Sequence, residues 1–127
     1  MPRSIIATAN APKAIGTYSQ AVKVGSTVYC SGQIPLDPAT AELVQGPMEA
    51  QVRRVFDNLK AIVTAAGGSF AQVTKVTVYI LDFADFPTLN KVMAEYFSEP
   101  YPARVTVAVA GLPKGARVEI DCVVELE

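Results

Sequence analysis

Between Pro47 and Ala66 the sequence takes on a helical period. Val52, Val55, Phe56, Leu59, Ile62, Val63 and Ala66 fall on one stripe at i, i+3, i+4 spacing, while Arg53, Arg54, Asp57 and Lys60 lie mostly off it. A stripe of that width predicts an amphipathic helix that must bury one side against another layer. Pro47 suits a first turn and Gly67–Gly68 supplies a stop. A second apolar stripe, Phe86, Leu89, Met93, Tyr96 and Phe97, predicts another helix, with Asp82 or Asp85 as its cap and Pro100 and Pro102 as its end.

The flanking segments read as strands. Ser19–Val24 and Thr27–Gly32 form a predicted hairpin around Gly25–Ser26, and Val73–Leu81 is rich in β-branched residues. Ala103–Ala110 and Arg117–Glu125 follow, joined through Gly111-Leu112-Pro113-Lys114. Residues 33–46 hold two prolines and end on Gly46, which predicts a loop with room for a short strand. The order is therefore β-β-α-β-α-β-β, an α+β arrangement with both helices on one face of a mixed sheet. At 127 residues the chain fits one domain, 1–127, without repeat or linker.

A domain of this length buries roughly two-thirds of its unfolded surface. Yet 50% of its residues are hydrophobic and only 18% charged, and the mean hydropathy is +0.28. That excess predicts that the sheet face away from the helices is covered by another subunit. The net charge of −1, and no basic run longer than Arg53–Arg54, leave no footprint for nucleic acid. Residues 1–10 lack the apolar core of a secretory signal, and no apolar run approaches the roughly 20 residues of a membrane span. Cys30 and Cys122 sit in apolar strands, as small buried hydrophobes rather than a disulfide. These features together predict a cytosolic protein.

The sequence contains no histidine. Ser-His-Asp and Cys-His catalysis and His-ligated metals are thereby excluded, and two separated cysteines make no zinc site. The expectation is a site with no metal and no cofactor, working through carboxylates, Tyr, Lys, Cys or bound water. The last two strands offer the residues. If they pair as an antiparallel hairpin with Val105 and Val118 facing the core, Thr106 lies opposite Glu119, and Arg104 is a diagonal neighbour on the same outward face. An ordinary ion pair on a solvated face fits that pattern equally well. Tyr18 fits a packing role, Ser31 a backbone hydrogen bond, Gly32 a turn and Asn90 a helix surface.

Three motifs narrow the choice. Ala11-Pro12-Lys13-Ala14-Ile15-Gly16-Thr17-Tyr18-Ser19-Gln20-Ala21 resembles the opening of RidA (YjgF) family proteins. Ser31-Gly32-Gln33-Ile34-Pro35 resembles their second landmark, and Pro102 to Val107 through Leu112-Pro113 to Val118-Glu119-Ile120 resembles the family signature. The likeness spans essentially the whole chain. It implies a chorismate-mutase-like fold and a homotrimer whose sheets form a central barrel, with clefts between subunits. It implies hydrolysis of reactive enamines and imines, such as 2-aminoacrylate and its imine tautomer, to 2-keto acids and ammonia. On that resemblance Arg104 holds the substrate carboxylate and Glu119 orients the attacking water. Tyr18, Ser31, Gly32, Asn90 and Thr106 line the cleft.

Two positions depart from the family pattern. Thr17 stands where proline is frequent, and Thr106 stands where many members carry cysteine, so no reactive thiol is present there. Family relatives are also described as ribonucleases, translation inhibitors, chaperones or binders of small acids, and one scaffold can host several activities. A deaminase for larger enamines would share the same residues.

Overall fold

In the computed structural model, which describes residues 2–126, the central stripe forms helix α1, Met48–Ala65, and buries Val52, Val55, Phe56, Leu59, Ile62 and Val63. Its end is a Schellman motif: the Gly68 N–H reaches the Val63 carbonyl and the Gly67 N–H the Thr64 carbonyl, both at 3.0 Å. Gly67 turns the chain at φ +90°, a conformation that a side chain makes costly. The second stripe forms α2, Phe86–Tyr96, entered through a short 3₁₀ turn whose Ala84 N–H donates to the Asp82 side chain at 2.9 Å.

The strands are β1 (Arg3–Ile6), β2 (Ala21–Val24), β3 (Thr27–Gln33), β4 (Val73–Ile80), β5 (Ala103–Ala108) and β6 (Val118–Glu125). They form one sheet in the order β1-β2-β3-β6-β4-β5. Strand β1 adds an edge that the sequence reading lacks, because an apolar pair, Ile5–Ile6, is too short to show a period. The predicted β2–β3 hairpin forms around Gly25–Ser26.

The expected hairpin between the last two strands does not form. Strand β4 lies between them, pairing parallel with β5 and antiparallel with β6. Val76, Val78 and Ile80 of β4 are fully buried, so this strand needs a neighbour on each side, whereas β5 is mostly exposed and suits the edge. The segment carrying α2 supplies the long crossover that parallel pairing demands.

Both helices cover one sheet face, and the core between them runs from Val28 and Cys30 through Ile120 to Val78. Cys30 and Cys122 face each other across β3 and β6 as free, buried thiols. Their mutual hydrogen bond and their burial push the Cys122 thiol up. The opposite face carries exposed Tyr29, Val105 and Val107 around a middle of Thr77, Tyr79, Glu119 and Asp121. Among the described residues no helix is long and apolar enough to cross a membrane.

Candidate functional site

The register assigns every candidate to a face. Arg104 is paired with Val76 and Thr106 with Val78, so both lie on the helix-bearing side. Glu119 is paired with Tyr79 and lies on the open side. The expectation that Arg104, Thr106 and Glu119 share one outward face is therefore overturned. Inserting β4 between β5 and β6 changes which residues share a side.

One group gathers at the β5 edge under α2. Arg104 donates through Nη1 to Asn90 Oδ1 at 2.7 Å and to Met93 Sδ at 3.6 Å, and its Cζ lies 5.2 Å from the Phe86 ring centroid. Arg104, Asn90 and Met93, with Ala94, Tyr101 and Pro102, wall a recess of about 400 Å³. Thr106 is two residues along, but its hydroxyl is buried without a hydrogen-bond partner and presents no polar atom to that recess.

The second group gathers where β3 meets β6. The register shifts there: Cys30 pairs with Cys122 and Gln33 with Ile120, so Ser31 and Gly32 together oppose Asp121 in a bulge. Such an irregularity re-aims side chains, and here it brings the Gly32 backbone beneath the Glu119 carboxylate. A methyl at Gly32 would lie 2.9 Å from the Glu119 carboxyl carbon and closer still to Oε2. Gly32 thus serves close approach and not a turn, as one sequence reading had it. Tyr18, Ser31, Gly32 and Glu119 line a recess of about 300 Å³ together with Ile15 and Pro113.

Burial pushes the Glu119 carboxyl above its ordinary value of 4.5, and the neighbouring Asp121 charge adds to this. Asp121 is raised by burial too, partly offset by hydrogen bonds from Tyr79 and Thr77 and by the Lys75 charge. The Ser31 hydroxyl donates to the Ser19 carbonyl, which is the backbone hydrogen bond expected of it, and the residue also lines the recess. Tyr18 is half exposed at 49%, and its hydroxyl accepts from the Ile15 N–H at 3.3 Å.

One organiser was not singled out from sequence. Gln20 is 5% exposed, and its amide nitrogen donates to the carbonyls of Thr8, Ala11 and Pro12 while its oxygen accepts from the Thr8 N–H. It clasps the loop that carries Tyr18. Its only sequence signal is a glutamine between apolar strand residues and a Pro/Gly-rich segment. Among the described residues no three His, Cys, Asp or Glu side chains are placed to hold a metal ion.

The profile of the Endoribonuclease L-PSP family matches residues 8–126. The chain is 52% identical over 126 residues to a protein of Dermatophagoides farinae named 2-iminobutanoate/2-iminopropanoate deaminase, covering 99% of this chain and 98% of that one. It is 46% identical to the Homo sapiens protein of the same name, over 95% of this chain and 88% of that one. Among solved structures, RidA from an Antarctic Psychrobacter superposes with a TM-score of 0.93 at 54% identity, covering 96% of this chain and 98% of that one. E. coli TdcF with bound serine superposes at 0.93 and 44% identity, covering 98% and 99%. With the profile matched along nearly its whole length and relatives about half identical end to end, the chain belongs to the L-PSP endoribonuclease family, the family of RidA.

Proposed function

We propose that this protein hydrolyses small 2-imino acids and their enamine tautomers, 2-aminoacrylate and 2-iminopropanoate among them, to 2-keto acids and ammonia. The observation that carries the reading is a pair of recesses, one holding an arginine fork and the other a carboxylate of raised pKa, on opposite faces of one sheet. Two copies joined through these faces bring a full site together, and the family resemblance implies a homotrimer. Three chains of 13.5 kDa give about 40 kDa.

In this scheme Arg104 grips the substrate carboxylate through two parallel hydrogen bonds, which fixes the imine carbon in one orientation. That carbon is already electrophilic, so water adds to it directly. Glu119 of the neighbouring copy takes a proton from the water as its oxygen bonds to carbon, and the proton passes to nitrogen. The carbinolamine then collapses: its hydroxyl proton passes by way of Glu119 to the amine, the C–N bond breaks, and the carbonyl forms as ammonia leaves. Asn90 sets the arginine, Thr106 borders it, Gly32 makes room for the carboxylate, and Tyr18 and Ser31 wall the water side. No cofactor enters the scheme, and two free buried thiols suit a reducing cytosol.

The test is an assay in which 2-aminoacrylate is generated in situ and its loss is followed. Wild type is expected to accelerate clearance. Arg104→Lys keeps the charge and loses the fork, so most of the acceleration is expected to vanish in a folded protein. Glu119→Gln is expected to bind 2-keto acids as wild type does and to lose turnover. Clearance by Arg104→Ala at the wild-type rate would show the scheme to be wrong.

A further inference from the structure

We propose that helix α2 is a cradle that holds Arg104 in its binding geometry before substrate arrives, with Phe86 and Met93 as positioning residues. This rests on the reading of Arg104 as the carboxylate anchor.

Phe86, Asn90 and Met93 stand at i, i+4 and i+7 on α2 and so form one stripe along its axis. Each meets the same guanidinium by different chemistry. The Phe86 ring lies 5.2 Å from Cζ, within the range in which the ring quadrupole attracts a cation. Asn90 Oδ1 and Met93 Sδ both accept from Nη1. The helix is a firm base, because Leu89 and Val92 on its inner side are fully buried and Met93 is 7% exposed. Arg104 itself sits on an exposed edge strand, where a long side chain would otherwise sample many rotamers.

The arrangement also selects an edge of the fork. Among the described residues the hydrogen bonds to the guanidinium run through Nη1 alone. The Nε–Nη2 edge is left to meet a carboxylate bidentately. A side chain already ordered this way loses less freedom on binding, so removing the ring weakens binding without altering the bond-making step. Phe86 touches the arginine and not the reacting atoms.

The experiment titrates the stable product analogue 2-oxobutanoate into the folded oligomer and measures KM and kcat alongside. Phe86→Leu keeps apolar volume and loses the ring face. Its Kd and KM are expected to rise roughly two- to fivefold, with kcat within about twofold of wild type. Phe86→Tyr keeps the face and is expected to restore wild-type values. Arg104→Ala is the control that separates the two ideas. If it still binds 2-oxobutanoate, the anchor reading and the cradle fall together. If it does not bind and Phe86→Leu binds like wild type, the cradle alone is overturned. A measurement on the unaltered protein guards against misfolded variants. With ¹⁵N-arginine labelling, a held Arg104 shows separate Nη resonances in the absence of ligand, and a single averaged signal overturns the cradle.

Discussion

At Gly32 the space of a missing methyl is taken by the Glu119 carboxylate. Gly32→Ala is therefore expected to fold, since the clash is with the far end of a flexible side chain, and to displace the carboxylate by about an ångström. A misplacement of that size can lower turnover on the order of 100-fold. Clearance of 2-aminoacrylate at constant thermal stability measures it. The same carboxylate sets a pH limit. In the proposed scheme its working form is ionised, and its pKa is raised, so activity is expected to fall with acidification above the ordinary value of 4.5. Asp121→Asn removes a negative neighbour and lowers that pKa, so the acid limb of kcat/KM moves to lower pH; an unmoved limb counts against the assignment. Both carboxyls bind protons more tightly folded than unfolded, so their contribution to stability is present in acid and lost as pH rises through the raised values. The residue types were legible in the sequence. The reason for Gly32 was not, because a close approach across two strands leaves no local pattern.

Among elements, α1 was readable almost to its ends, since a stripe of seven apolar residues and a paired glycine stop describe it without tertiary information. The order of the last strands was not. Two adjacent alternating segments suggest a hairpin, and only the full burial of β4 on both flanks forces it between them. Helix α1 also holds the loop beside the site. Asn58 is fully buried, donates to the Leu36 carbonyl at 2.9 Å and accepts from Arg54 Nε at 3.1 Å. Asn58→Ala leaves that buried carbonyl without a donor, at a cost of roughly 1–3 kcal/mol. Denaturant melts measure the loss, and because Ile34 and Leu36 wall the Glu119 recess, a higher KM is expected with it.

For the whole molecule, the decisive fact is that Arg104 and Glu119 face opposite sides of one sheet. If each site takes its arginine from one copy and its carboxylate from the next, two inactive proteins complement each other. Arg104→Ala and Glu119→Gln trimers, unfolded together and refolded at equal amounts, are expected to regain about a quarter of wild-type activity. Every mixed trimer then holds one intact pairing. No recovery would place both groups within one chain's own site. The division has a consequence for the chain's history. Under the proposed scheme a newly made protomer would carry both halves of the chemistry and use neither until it met its own kind. Activity would then begin only once enough copies had accumulated to associate, and a cell that diluted the protein below that level would lose the function before it lost the molecule.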